Sequence, residues 1–343
     1  MQARKKNMAR QSTPRQASRR VCAYRPEESP FCGKNEQRLS RYCDEWLRMR
    51  RIRVKESTFV KYGSFLEKYI KPRMGDYAVT ELTADIIDDF SWQLLEQDGL
   101  SPKTVRDILT VLHGVLQYAA DHSPEPVADI RITYPHAPRK EIRVLSREEQ
   151  RRLGNYLIQS LDPCKFGTLL SLMTGMRIGE LCALRWKDIS LEDRAIRVRA
   201  TMQRLKDLDQ SIFAKTRVII STPKSSCGFR FIPLTDQAAA LCAICRCFDP
   251  EAFVLTGSRD SYLEPRAMQY RFRKYTAACG LEGVHFHTLR HTFATRCVEV
   301  GFEIKALSEI MGHSSPKITL ERYVHASVQL KRDNMSKLAA VGL

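Results

Sequence analysis

The chain has 343 residues, 43% of them apolar and 28% charged, ordinary globular values that disfavour wholesale disorder, collagen and membrane classes and leave room for about two domains. The charge balance is not ordinary: 56 Lys and Arg against 39 Asp and Glu give a formal net charge of +17, which points to a polyanionic partner such as nucleic acid or an anionic membrane. The longest apolar stretch, Ala238 to Cys245, is far short of the roughly 18 residues a membrane span needs.

Residues 1–26 carry eight basic residues, and no acid precedes Glu27, so residues 1–35 read as a basic flexible tail. An Arg- and Ser-rich, acid-free start has the composition of a transit peptide, but Met8, Ala9 and Val21 are too few apolar residues for an amphipathic face. There is no apolar run of a secretory signal, and the expectation is a cytoplasmic protein. Eleven cysteines, an odd number, fit reduced thiols in that compartment. Cys242, Cys245 and Cys247 form the tightest cluster, but no second Cys/His pair at ligand spacing follows. The surrounding AAALCAIC run reads as a core helix, and no metal is expected.

Residues 36–122 read as four helices. Asn35 to Arg50 repeats Leu39, Tyr42, Cys43, Trp46 and Leu47 at helical spacing, and Ser57 to Ile70 repeats Phe59, Tyr62, Phe65, Leu66 and Tyr69 before Pro72 and Gly75. Thr83 can cap a third helix through Glu96. Ser101-Pro102, a cap followed by proline at the first helical position, starts a fourth to about Ala120. Residues 123–145 then read as a linker, broken by Pro124, Pro126, Pro135 and Pro138. Ser146 and Glu149 make a capping box that opens a mixed domain over 146–343. Helices are expected at 147–160, 164–173 and 177–186, followed by β-like runs near 195–202, 217–223 and 229–233. Helices near 235–247, 264–279, 288–300, 303–311, 316–323 and 327–340 complete the chain, with breaks at Gly280, Gly301, Gly312 and Pro316.

Four groups of residues could do chemistry. Gly175 should end one helix and Arg177 begin the next, where unpaired backbone N–H groups and a planar guanidinium suit a phosphate. Glu180, one turn on, could orient Arg177, although an i,i+3 surface pair would look the same. His287 and Arg290, in HTLRHTFAT, fall on one side of a helix. A His/Arg pair supplies proton transfer and charge neutralisation. His287 and His291 are four apart, as in zinc helices, but no Glu follows His287. His313 follows Gly312 in a turn, and Tyr323 ends the next short helix, where nearby cations could make a phenol a usable nucleophile. Lys224 sits in a turn between two β-like runs, with the reach of a general acid, although a solvated hairpin lysine reads the same way.

The order Arg177, Lys224, His287-x-x-Arg290, His313, Tyr323 resembles the tyrosine recombinase (phage integrase) family, and TGMRIGELCALRW, HTLRHTFAT and MGHSSPKITLERYVH resemble that family's boxes almost residue for residue. The resemblance covers about 145–335, and the bundle at 36–122 is similar to the family's core-type DNA-binding domain. It implies a mainly α fold with a small β-sheet (α+β): an N-terminal helical core-binding (SAM-like) domain plus a catalytic domain, together a C-shaped DNA clamp. By resemblance, Tyr323 attacks a scissile phosphate to form a 3′-phosphotyrosyl bond, and Arg177 and Arg290 clamp the non-bridging oxygens. Lys224 protonates the 5′-oxygen, His287 assists proton transfer, His313 bonds the phosphate, and Glu180 supports the arginines from behind. No cofactor, metal or ATP is implied.

The implied partners are double-stranded DNA and three further copies of the chain, a homotetramer on two sites served by accessory DNA-bending or directionality proteins. Ser327 to Leu343 would be the segment that packs on a neighbouring copy, and the implied location is the cytoplasm, at the nucleoid. The leading expectation is integration and excision of a mobile genetic element. A chromosome-resolving or inverting recombinase, a type IB topoisomerase and a DNA-binding regulator without strand exchange are the alternatives. Two features depart from the family pattern: only a basic tail precedes the bundle, and residues 203–216 lengthen the stretch before Lys224.

Overall fold

The computed structural model describes residues 38–138, 141–207, 216–221, 229–323 and 335–336. The first helical unit is built from α1 (Leu39–Arg50), α2 (Glu56–Phe65), α3 (Lys71–Met74), α4 (Ala84–Trp92) and α5 (Pro102–His122). One side of α1 carries Leu39, Tyr42, Cys43 and Trp46, all buried, and packs on α5, whose buried residues run from Val105 to Ala119 at helical spacing. Thr83 and Ser101 cap α4 and α5 through their side chains, as their sequence positions imply.

The second helical run does not stop at Pro72. A π-turn over Leu66–Ile70 joins α2 to α3, placing Pro72 in the first turn of α3, where its missing N–H is tolerated. A second π-turn, Gln93–Gln97, extends α4. Such insertions leave no hydrophobic signature, because they rotate the apolar stripe without removing it.

The linker carries neither helix nor strand over residues 123–138. Val127, Ile130 and Ile132 nonetheless lie against the first core. Its far end is fastened to the second unit. Leu145 is buried, its N–H donates to Thr292 Oγ1 (3.0 Å), and its carbonyl accepts from Arg296 (2.7 Å). The linker therefore ends on the helix that carries His287 and Arg290. The two units also meet at an ion pair between Arg217 and Glu56 (2.6 Å).

The second unit opens on α6 (Arg147–Gln159), whose Ser146–Glu149 capping box is formed. It continues through α7 (Pro163–Thr174) and α8 (Ile178–Ala183) into five strands: β1 (Ile189–Ser190), β2 (Ala195–Val198), β3 (Thr201–Lys206), β4 (Thr216–Ser221) and β5 (Arg230–Pro233). α9 (Asp236–Cys245), α10 (Pro265–Ala278), α11 (His287–Glu299), α12 (Ile304–Met311) and α13 (Pro316–Tyr323) follow. A three-stranded antiparallel sheet runs β1-β2-β5, and β3 and β4 form a separate two-stranded ribbon. One core lies between α6, α7, α10 and α11. Another lies between α7, α9 and the sheet, where Phe166 stacks on Trp186 at 5.7 Å.

Three expectations need correction. The run 195–202 is two strands, since β2 pairs β5 while β3 pairs β4; a single β-like run gives no hint of a change of sheet. The 177–186 helix ends at Ala183 and is followed by a separate 3₁₀ turn, Trp186–Asp188. The β-like runs flanking Lys224 are not partners of each other, because β4 and β5 belong to different sheets. Lys224 itself lies outside the described residues, as does nearly all of the 327–340 helix. Among the described residues no helix is long and apolar enough to cross a membrane.

Candidate active site

Two left-handed glycines shape the site. Gly175 (φ 67°) ends α7, and Gly312 (φ 62°) ends α12. A Cβ on Gly175 would stand 2.5 Å from Phe293 Cδ1 and 3.0 Å from Met311 Sδ. Glycine therefore serves both the turn and the close approach of α11 and α12. Gly175→Ala is expected to lower stability by about 1–3 kcal/mol, read as a lower urea midpoint at unchanged slope. A midpoint equal to the parent's would show that the turn tolerates a side chain.

Four residues beyond the first glycine, the chain has already turned into α8. Arg177 is its N-cap, and Glu180 reaches back to the Arg177 N–H (2.9 Å) while accepting from its guanidinium (2.8 Å). This is one half of a capping box: Glu180 satisfies the cap N–H, while the Arg177 guanidinium has no acceptor atom and can only donate, here to Glu180, in an i,i+3 pair that is buried on the acid side. Gly179 lets α8 lie close on β3, since a Cβ there would be 2.6 Å from Thr201 Oγ1 and 2.7 Å from the Met202 carbonyl oxygen.

Three arginines converge on the C-terminus of α12. Arg230 donates to the Ile310 carbonyl (2.6 Å), Arg290 to the Met311 carbonyl, and Arg177 to the Gly312 carbonyl (2.9 Å). Arg290 also holds the Gly175 carbonyl (2.8 Å), tying the two glycine turns together. A helix C-terminus carries partial negative charge and unpaired carbonyls, so it is a natural mooring for buried cations. Arg290 is only 2% exposed. Burial, then the neighbouring Arg177, pushes its guanidinium down to about 9, still cationic at neutral pH.

Glu180 is the single carboxylate in this group among the described residues. Besides Arg177 it accepts two bonds from Arg230 (2.9 and 2.8 Å), a bidentate buried pair. Burial alone would push its carboxyl up, but the bonds and charge of Arg230, with those of Arg177, outweigh this and bring it down to about 2. Three guanidiniums against one carboxylate leave a net of about two positive charges in this group.

That charge faces a cavity of about 310 Å³ lined by Arg177, His287, Arg290, Gly312, His313, Ser314, Ile318 and Arg322. The structure thus brings together five of the six residues expected to react, Arg177, His287, Arg290, His313 and Tyr323, along with Glu180. His313 bonds Thr319 Oγ1 through Nδ1 (2.8 Å), and its ring lies parallel to that of Tyr323 at 6.3 Å. Desolvation, then the guanidiniums of Arg290, Arg177 and Arg322, lowers His287 to about 4 and His313 to about 3, so both are neutral at pH 7.

Tyr323 is 6% exposed and sits at the end of α13 in a small apolar cluster with Ala294, Cys297, Leu307 and Met311. Its burial raises the hydroxyl above the ordinary phenol value, while Arg290, Arg322 and Arg177 oppose that rise. The hydroxyl shares a 2.8 Å hydrogen bond with His291 Nδ1. Two residues in this arrangement carry no role in the sequence reading. Arg230 looks in sequence like an ordinary strand residue, and the spacing of His291 from His287 suggests only a zinc pair. The His291 contact had one visible signal: His287 and His291 share a helix face, and the rings meet edge to face at 4.6 Å.

Comparison with known proteins identifies the family and the fold. The phage integrase family model matches residues 143–329, and the phage integrase N-terminal SAM-like domain model matches residues 38–95. A tyrosine recombinase XerC-like protein of Caldanaerobacter subterraneus subsp. tengcongensis is 27% identical over 310 residues, 84% of this chain and 79% of the relative. Among solved structures, the Tn1549 transposon integrase in complex with a circular intermediate DNA superposes with a TM-score of 0.72 at 20% identity, over 88% of this chain and 99% of that one. The lambda integrase tetramer bound to a Holliday junction superposes with a TM-score of 0.60 at 18% identity, over 84% and 78%. The two-unit fold is therefore that of integrases, a helical SAM-like domain followed by a catalytic domain. With the family model spanning more than half of its length, the chain belongs to the phage integrase family and is a site-specific tyrosine recombinase.

Proposed function

We propose that this recombinase cuts and rejoins duplex DNA through a 3′-phosphotyrosyl bond at Tyr323, and that its task is the integration and excision of a mobile genetic element. The observation that carries the chemistry is the cavity itself. Arg177, Arg290 and Arg322 face it with no carboxylate on its wall among the described residues, and Tyr323 is packed beside it. In this reading Arg177 and Arg290 bind the non-bridging oxygens, where charge grows in the transition state. His313 and His287 contact the phosphate and the moving protons. Lys224 delivers a proton to the 5′-oxygen. No metal or ATP enters, because the phosphotyrosyl bond keeps the energy of the bond it replaced.

The mobile-element assignment rests on the similarity to the Tn1549 transposon integrase, which extends over 99% of that chain. In this reading the domains, 36–122 and 146–343, close around DNA as a C-shaped clamp crossed by the 123–145 linker. The basic tail adds affinity that falls steeply with salt. Four copies would act on two sites at the nucleoid, with helper proteins setting direction. The XerC-like relative favours a second reading, resolution of chromosome dimers by the same chemistry.

The test uses nicked duplexes, selected for binding from a random pool, incubated with the full chain in EDTA and run on denaturing gels. A metal-independent covalent complex is the expected result; salt-sensitive binding with no adduct would leave a DNA-binding regulator instead. Recombination of a two-site plasmid into integrated, excised or inverted products then separates the two biological readings.

A further inference from the structure

The cavity assigns roles to groups that face DNA, but the attacking hydroxyl must also lose a proton. Three histidines lie near Tyr323, and they are placed differently. His287 lines the cavity. His313 lies with its ring plane parallel to that of Tyr323, the centroids 6.3 Å apart, and its Nδ1 is taken by Thr319. His291 points Nδ1 at the Tyr323 hydroxyl at 2.8 Å, with the two ring centroids 5.7 Å apart. Donation by the hydroxyl leaves the His291 proton on Nε2, the tautomer in which Nδ1 carries a free lone pair.

We propose that His291, not His287 or His313, accepts the Tyr323 proton as the phenol attacks. This rests on the reading of Tyr323 as the nucleophile. The step balances within the site. The Tyr323 Oη–P bond forms and the P–O5′ bond breaks; the phenol proton moves to His291 Nδ1, and the departing 5′-oxygen takes a proton from the general acid. In the rejoining step the 5′-hydroxyl of the incoming strand attacks, its proton returns to the general acid, and His291 gives its own proton back to the leaving phenol.

The surroundings explain how such a base stays silent until DNA arrives. His287 and Arg290 of α11 and Arg322 and Tyr323 of α13 face His291. Desolvation, then His287, Arg322 and Arg290, lowers its imidazole to about 4, so in the free protein it is a weak acceptor beside a protonated phenol. A phosphodiester in the cavity places negative charge against Arg290 and Arg322 and cancels the part of their field that suppresses His291. Basicity then rises when a scissile phosphate is bound. A tyrosinate is avoided in the absence of substrate.

The experiment is a single-turnover pH profile of covalent-complex formation, using the full chain and the nicked duplex selected above. His291→Gln keeps a polar group near the phenol but cannot take its proton. Near pH 7 its rate is expected to be about 100-fold below the parent's. The deficit should shrink by about tenfold per pH unit toward alkaline pH, as hydroxide takes over the deprotonation. DNA binding should stay within about twofold, because His291 does not line the cavity. His291→Ala should regain rate with added imidazole, and it gives a second reading should the Gln variant fold poorly. A parent-like rate in His291→Gln overturns the proposal while leaving Tyr323 in place. So does a deficit that is constant with pH and unmoved by imidazole, which would make His291 a positioning residue only. Absence of any adduct from the parent chain overturns both readings together.

Discussion

Tyr323→Phe is expected to bind DNA with the parent's affinity and salt dependence and to form no covalent complex at all. The phenyl ring can keep its place among Ala294, Cys297, Leu307 and Met311, because the hydroxyl contributes nothing to that apolar packing. What is lost is the single oxygen held by His291. The stability change should be modest, about 0.5–1.5 kcal/mol for one hydrogen bond with a half-buried imidazole, too little to unfold a domain. In the proposed reading binding is carried by cations that the substitution does not touch, among them Arg177, Arg290 and Arg322 on the cavity wall. Affinity by fluorescence anisotropy across a salt series, beside a denaturing gel for the adduct, separates the two quantities. An adduct surviving in Tyr323→Phe would mean that another residue is the nucleophile, and loss of binding together with cleavage would mean that α13 positions the DNA.

The sequence was informative where physics ties a residue to its neighbours in the chain. Thr83, Ser101 and Ser146 cap the helices expected of them, because a cap needs only a side-chain oxygen and the next three residues. Arg177 and Glu180 were legible for the same reason. Gly175 and Gly312 signalled helix ends but not their second use, which is to offer carbonyls to arginines from elsewhere in the chain. Arg230 illustrates the limit. It lies 50 residues from Glu180 in sequence, and nothing local distinguishes it from the other arginines of the β-like runs. The division of residues 195–202 between two sheets was equally invisible, since strand pairing is decided by partners far along the chain. The family resemblance implies roles for His287 and His313; it does not imply the hydrogen bond between Tyr323 and His291, which depends on how α13 lies against α11.

Removing the charge of Glu180 is expected to have the largest effect on stability of any single change near the site. Its carboxylate accepts from the Arg177 backbone N–H, the Arg177 guanidinium and both ends of Arg230, at 4% exposure. Glu180→Gln takes from Arg177, Arg230 and Arg290 the carboxylate charge between them, and breaking a buried pair on one side costs about 3–5 kcal/mol. The sign of the pH dependence follows from the direction of the shift. The carboxyl stands at about 2 in the folded chain against 4.5 ordinarily, so its stabilisation is full above about pH 4.5 and is lost as pH falls toward 2. A difference of that size is worth roughly 3 kcal/mol. The parent should therefore approach the variant in stability at strongly acid pH, while the gap between them stays wide at neutrality. Arg230→Met made in the Glu180→Gln background should recover part of the loss, because it removes a buried cation that the first change deprived of the Glu180 carboxylate. Urea unfolding of the four proteins of this cycle measures the coupling directly. Additive losses would show that Arg230 and Glu180 act independently, and that the mooring of three arginines on the end of α12 does not depend on the carboxylate between them.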